Sequence, residues 1–396
     1  MMRTSVRQRL VLLLTAVAFL ISPAAQAQEL LATSIFAPEA GDPDPLLSGL
    51  FKIDLATGNA TPFVSVGVAG LIFPSDVVVD PASDTIFVST QLGTILHFDA
   101  AGTPLPSPIL GGDPGLFAVL GAAVNSLVFD ASGNLLAADS AGVISSWDPA
   151  TGARNADVLT GLLEMTAIQV TPGGAVLAQS GPIFGPGMIS SVENGVATPL
   201  ISSTTSLLTD GGTMLFAPLD GDTDADADAD VSDLLSFQRG FGSPGSADVD
   251  GSGTVDAMDL TIIEADFGSI GDLLVSDFSG NQIARFDADG TNDTVFAALP
   301  PVATIPPSNF PSELLPSDSG TLIVSTLGPT QRPDNQGEIR EYDFNGNLLG
   351  VRASALPPVS GIALAPPVPL PVTAEVPEPS GALLAALALG LARGRR

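Results

Sequence analysis

One short phrase recurs six times along the 396 residues, and it restricts the fold more than any other feature of the chain. Each copy has an apolar residue, then a bulky residue followed by an acid, then a turn carrying glycine. The copies run Phe51-Lys52-Ile53-Asp54 to Gly58, Ile95-Leu96-His97-Phe98-Asp99 to Gly102, and Ile144-Ser145-Ser146-Trp147-Asp148 to Gly152. They continue as Ile189-Ser190-Ser191-Val192-Glu193 to Gly195, Ile283-Ala284-Arg285-Phe286-Asp287 to Gly290, and Ile339-Arg340-Glu341-Tyr342-Asp343 to Gly346. Such a phrase reads as two antiparallel strands: alternation sends one face inward, the acid opens the turn, and glycine supplies the left-handed backbone that ends it. The bulky position falls at 53, 98, 147, 192, 286 and 342, giving spacings of 45, 49, 45, 94 and 56.

A period near 45 is the length of a propeller blade, and the spacing of 94 is a normal blade plus an insertion of about 49 residues. Upstream of the phrases lie further strand pairs, 76–80 with 85–89, 126–130 with 134–138, and 167–171 with 175–179, so each unit holds four strands. At the ends, 360–365 reads as a first strand without a successor and 30–37 as a second strand without a predecessor. One blade is then shared between the two ends, which closes the ring and leaves no free sheet edge. The expected fold is mainly β, a six-bladed β-propeller with a small α-helical module inserted. This layout resembles propellers of the NHL and SMP-30/gluconolactonase-like kind over most of 29–367, on periodicity alone; a pair of β-sandwiches is the rival. Two segments, 214–218 and 273–278, both read as the second strand of the interrupted blade, and one of them must do something else.

Within the insertion, Asp222, Asp224, Asp226, Asp230 and Asp233 recur at a constant offset of 26 as Asp248, Asp250, Ser252, Asp256 and Asp259. These are positions 1, 3, 5, 9 and 12 of a loop. Oxygen ligands at alternate positions curl around a hard cation, Asp228 and Thr254 at position 7 add their carbonyls, and the last carboxylate closes the site. The chemistry fits Ca2+, two ions in all. Behind each loop an apolar helix carries Leu234, Leu235, Phe237 and Phe241, or Leu260, Ile262, Ile263 and Phe267, and ends at Gly242 or Gly268. A solvated acidic linker is the alternative for the Asp-Ala run alone. With Asp rather than Glu at position 12 and no entering helix, segment 220–268 resembles the type I dockerin, and Asp248-Val249-Asp250-Gly251-Ser252-Gly253-Thr254-Val255-Asp256-Ala257-Met258-Asp259-Leu260 follows that loop closely. The first loop departs from it: Ala227 and Ala229 replace the glycine of position 6 and the apolar residue of position 8. A left-handed alanine costs roughly 1 kcal/mol, so the first site is expected to be the weaker, with Asp228 adding compensating charge. The resemblance implies a cohesin-like partner for positions 10 and 11, which here are Val231-Ser232 and Ala257-Met258.

The ends of the chain point to export. Arg3, Arg7 and Arg9 precede an apolar run from Leu10 to Ile21, then Pro23 and Ala25-Gln26-Ala27, which reads as a signal peptide cut after Ala27; a membrane anchor is the alternative, for which the run is short. Near the other end, Val376-Pro377-Glu378-Pro379-Ser380, an apolar run from Gly381 to Ala392 and Arg393-Gly394-Arg395-Arg396 resemble a PEP-CTERM sorting signal. That resemblance implies delivery to an exosortase, transient membrane anchoring through 381–392, and the surface or exterior of a Gram-negative-type bacterium. A plain membrane helix is the alternative. The domains are then 1–27 signal peptide, 29–218 first part of the propeller, 219–268 dockerin-like module, 270–367 second part, and 368–396 Pro-rich linker and sorting signal.

Composition narrows the partners. Lys and Arg number 13 against 43 Asp and Glu, a net charge of −30 that repels nucleic acid and anionic lipid and favours cations. Cysteine is absent, so neither disulfides nor thiolate metal sites hold the fold. With His97 the only histidine, in a strand beside Phe98, a Ser-His-Asp triad or histidine-rich zinc site has almost nothing to work with. Glu164, Glu193, Glu313 and Glu338 are candidates for a lactonase-like channel site, but no spacing singles one out. No catalytic residue is assigned. The functional expectation is an exported, surface-targeted calcium-binding protein that makes protein contacts or meets an exopolysaccharide matrix. Its rival is an extracellular hydrolase, lactonase-like or carbohydrate-active, docked on a scaffold.

Overall fold

Every one of the six repeated phrases forms the third strand of a four-stranded sheet and the turn that follows it. This is seen in a computed structural model, which describes residues 28–34, 49–109, 111–181, 187–202, 208, 211–220, 222–223, 226–243, 245, 247–249, 252–299, 310–317, 319–327 and 337–366. The first blade takes β1 (Glu29–Thr33), β2 (Leu50–Asp54) and β3 (Ala60–Val64). The second holds β4 (Pro74–Val79), β5 (Ile86–Thr90), β6 (Thr94–Phe98) and β7 (Leu116–Val119); the third holds β8 (Val124–Phe129), β9 (Leu135–Asp139), β10 (Val143–Trp147) and β11 (Arg154–Thr160). The fourth is β12 (Met165–Val170), β13 (Val176–Ser180), β14 (Met188–Glu193) and β15 (Val196–Ser202). The fifth is β16 (Gly211–Phe216), β17 (Leu273–Asp277), β18 (Gln282–Phe286) and β19 (Thr294–Ala298), and the sixth β20 (Pro311–Pro316), β21 (Leu322–Thr326), β22 (Gly337–Tyr342) and β23 (Leu348–Leu356). Last comes β24 (Gly361–Leu364), which pairs antiparallel with β1 and completes the first blade. The fold is a six-bladed β-propeller, closed by hydrogen bonds between its first and last strands, β1 and β24.

The turn chemistry follows the residue types. Asp54 Oδ1 accepts the amides of Ala56 and Thr57 at 2.8 and 3.2 Å, and the glycines closing the six phrases all have φ between 66° and 83°. Apolar faces pack between neighbouring blades rather than at the centre of the ring. Leu31, Leu50 and Val64 of the first blade, for example, meet Val77, Ile86, Val88 and Phe98 of the second. Each such side chain contributes about 1.5–3 kcal/mol when fully buried. Serines bind adjacent blades as well: Ser75 Oγ donates to the Val124 carbonyl at 2.5 Å, and Ser312 Oγ to the Val359 carbonyl at 2.6 Å.

The interrupted blade settles which of two strand-like segments is second. Segment 214–218 begins in β16, the innermost strand, which ends at Phe216, and 273–278 covers β17, the second, with Phe216 opposite Leu273. Both carry apolar residues because β16 packs part of its length between blades while lining the channel and β17 is buried on both faces, which makes them alike in sequence. The insertion therefore leaves the sheet through the turn between first and second strands. It carries α1 (Val231–Gly240) and α2 (Ala257–Asp266), and it lies in the same compact unit as the propeller, which ends at Ala365. Both helices stop two residues before Gly242 and Gly268, which are left-handed. Among the described residues no helix is long and apolar enough to cross a membrane. The proposed signal peptide and the sorting segment 368–396 lie outside the described residues.

Candidate metal centre and channel carboxylates

The two acidic loops share one local design. Each helix starts at an aspartate N-cap, Asp230 or Asp256, whose carboxylate accepts an amide two residues on, from Ser232 at 2.5 Å or Met258 at 2.8 Å. The position-12 aspartate replies: Asp233 Oδ2 accepts Asp230 N and Asp259 Oδ2 accepts Asp256 N, both at 2.7 Å. These are capping boxes, and they place Asp233 and Asp259, both wholly buried, beneath their loops. Position 1 is tied to position 6 in the same way in both copies, Ala227 N donating to Asp222 Oδ2 at 2.8 Å and Gly253 N to Asp248 Oδ2 at 2.7 Å. Ala227 stands at φ 70° and Gly253 at 94°, so the alanine holds the left-handed conformation that the position demands.

The loops also exchange backbone bonds. Ala229 bonds with Gly268 and Ser269 beyond the second helix, and Val255 with Gly242 and Ser243 beyond the first, a reciprocal pair related by the offset of 26. Phe237, Ala247, Val255 and Ile263 form the small core between them. Leu235, Phe241 and Phe267 are exposed instead.

In the first loop, carboxylate oxygens of Asp228, Asp230 and Asp233 lie within 4.8 Å of one another. Burial first, then the charges of Asp226, Asp230, Asp233 and Asp222, push the Asp228 carboxyl above its ordinary pKa. Its Oδ1 is buried and has no hydrogen-bond partner among the described residues. Ala227 and Ala229, rather than Asp228, make the ladder bonds opposite Ile270, which leaves the Asp228 carbonyl outside the ladder. Asp233 Oδ1 accepts both Thr223 N at 2.6 Å and Thr223 Oγ1 at 3.0 Å, which leaves Oδ2, bonded to Asp230 N, as the oxygen with a lone pair to offer. A crowd of hard oxygens with an orphan acceptor suits a divalent ion. Asp228 thus enters the cluster by its side chain, where sequence reasoning used only its carbonyl.

The second loop brings Ser252 Oγ to 3.4 Å from Asp248 Oδ1, with Thr254 exposed beside them. It shows no group of three carboxylates among the described residues. Asp224 and Asp250 lie outside those residues. Val231, Ser232, Ala257 and Met258 sit on the first turns of the two helices and are all exposed, Val231 and Met258 at 59% each.

A second pair of acids lies in the central channel. Asp76 on β4 and Glu313 on β20 line a cavity of about 460 Å³ together with Ser126, Gln169 and Thr213. Asp76 accepts amides from Val77 and, across the blade boundary, Leu127, each at 2.7 Å, yet burial outweighs both and pushes it up to about 7. Burial and the neighbouring Asp76 raise Glu313 well above the carboxylate range. Of the four glutamates considered from sequence, Glu313 is the one in this channel; Glu164 and Glu193 are exposed, and Glu338 pairs with Arg340. The signal was legible in Pro74-Ser75-Asp76 and Pro311-Ser312-Glu313, one phrase at the same place in two blades. His97 packs between Phe87 and Phe117, and burial lowers its pKa, which agrees with a core role.

No protein-family model matches the chain. No curated protein matches it in sequence. Among solved structures, a chain of a nidogen/laminin complex is 11% identical with a TM-score of 0.51, covering 86% of this chain and 98% of that one. A protein of unknown function from Bacteroides caccae is 13% identical with a TM-score of 0.52, covering 86% and 99%. What they share with this chain is the propeller. Regucalcin from Agrobacterium tumefaciens, a calcium-binding protein, is 14% identical with a TM-score of 0.44 over 70% of this chain and 73% of its own. Identities this low speak to fold alone.

Proposed function

We propose that this chain is an exported, surface-targeted calcium-binding protein whose dockerin-like insertion and propeller serve contacts with proteins or polysaccharide outside the cell. The observation that carries the reading is the orphaned Oδ1 of Asp228 among the carboxylates of Asp230 and Asp233, in a loop whose hydrogen bonds repeat 26 residues later. Calcium would neutralise that cluster and fix both loops in their curled form. In the first loop Asp222, Asp226, Asp228, Asp230 and Asp233 would hold it, with Asp224. In the second the donors are Asp248, Ser252, Thr254, Asp256 and Asp259, with Asp250. Titration calorimetry on the full chain tests this: calcium should bind, and the double variant Asp222→Ala, Asp248→Ala should show no heat. Export by the signal peptide, sorting by an exosortase and a cohesin-like partner at Val231, Ser232, Ala257 and Met258 belong to the same proposal. Pull-downs with and without chelator test the partner.

The channel pair favours a second reading, an extracellular hydrolase. Two buried carboxyls facing one channel, Glu313 held well above its ordinary value and Asp76 raised to about 7, are equipment for proton transfer near neutral pH. Turnover of a lactone or glycoside that disappears in Glu313→Gln would establish it. Its absence across both substrate classes would leave the binding reading.

A further inference from the structure

The two acidic loops differ in how they are attached. Ala227, at the left-handed position of the first loop, packs its methyl against the apolar cluster of the fourth and fifth blades that contains Leu177, Ile189, Met214 and Phe286. Its carbonyl accepts the amide of Gly271 at 3.0 Å, and one residue on, Asp272 accepts from Ala217 N at 2.8 Å as the strands rejoin. Asp222, Asp226 and Ala227 face a cavity of about 560 Å³ whose other walls include Phe216, Pro316 and Leu364, at the ends of inner strands from three blades. The first loop is thus built onto the floor of the propeller. The second is not: Val255, Ala247 and Val249 pack only within the small core of the insertion, and Gly253 has open space around it.

From this asymmetry we infer that the propeller holds the first loop's ion site in place, so that calcium there clamps the propeller itself, while calcium in the second loop stabilises only the insertion. The inference rests on the calcium reading above. It explains the alanine at position 6. Glycine would relax the backbone but would lose the methyl that seats the loop on the blades, and a buried methyl is worth about as much as the left-handed strain costs. It also reverses the ranking expected from sequence, because a loop held from outside loses less entropy on binding than one that must order itself.

The single tryptophan makes the test direct. Trp147 lies in the third blade, two blades from the insertion, and is buried with its indole donating to Ser145 Oγ at 2.8 Å, so its fluorescence reports propeller unfolding. On the full chain, saturating calcium should raise the temperature of the Trp147 transition. Asp222→Asn should lose more than half of that rise and Asp248→Asn should keep more than half. If Asp222→Asn lacks a cooperative transition without calcium, Asp226→Asn takes its place, with the same expectation. Equal losses in the two loops, or a larger loss from Asp248→Asn, would overturn the inference. So would calorimetric binding that leaves the Trp147 transition where it was, and in that case calcium binding itself would stand. A wild-type chain that takes up no calcium would remove both.

Discussion

Asp76 and Glu313 occupy matching positions on the inner strands that flank the shared blade, and the charge of Asp76 adds to burial in holding Glu313 protonated. The consequence is a pH dependence with a definite sign. An acid whose folded pKa lies above its unfolded value stabilises the fold fully below the unfolded pKa, and that stability is lost as pH rises through the folded one. With Asp76 pushed up to about 7 from its ordinary 3.8, denaturant unfolding should show stability falling between about pH 4 and pH 7, by up to ~1.4 kcal/mol per pH unit for each proton released. Glu313→Gln, uncharged at every pH, should flatten the slope. A stability curve with no slope in that window would refute the assignment.

Calcium should raise the melting temperature of the full chain. Binding at a hundred times the dissociation constant adds about 2.7 kcal/mol per site. Scanning calorimetry should show the increase in wild type and none in Asp222→Ala, Asp248→Ala. A double variant that still responds would put the ion elsewhere.

Gly253→Ala isolates backbone strain. The residue sits at φ 94° and a Cβ there would meet nothing within 4 Å, so the cost is conformational alone. About 1 kcal/mol is expected, which is roughly a fivefold loss of calcium affinity at the second loop. An unchanged titration would mean that this glycine is not held left-handed in the bound loop.

Gly271→Ala tests the junction. A Cβ at this position would fall 1.7 Å from the Ala217 carbonyl, so the strands rejoining the fifth blade must separate. A loss of about 2 kcal/mol or more is expected from chemical denaturation, beyond the range of an ordinary surface change. Wild-type stability would show that the two strands do not meet there.

Much of this molecule is legible in its residue order because the decisive signals are local. Blade length, the third strand of each blade, the Asp-to-Gly turns and the closing of the ring by the two ends follow from alternation, turn chemistry and a period near 45. The 26-residue offset likewise marks both acidic loops, since a curled oxygen cage and its helix cap use neighbours in sequence. The choice between two apolar segments for the inner strand of the fifth blade was not legible, because a channel-lining strand and its fully buried neighbour carry the same kinds of apolar residue.

By itself, then, the sequence determined the blade repeat, the loop pattern and the chemistry of each loop's oxygens, all of which depend on residues a few positions apart. Tertiary structure alone decided that Asp76 and Glu313, 237 positions apart, face one channel, and that Ala227 is seated on the blades while Gly253 stands free. Closing a ring turns the inner strands of the second and sixth blades toward one channel regardless of chain distance. The pKa of Glu313 shifts only once the ring has closed, whereas Ala227 is anchored as soon as the fourth and fifth blades have packed.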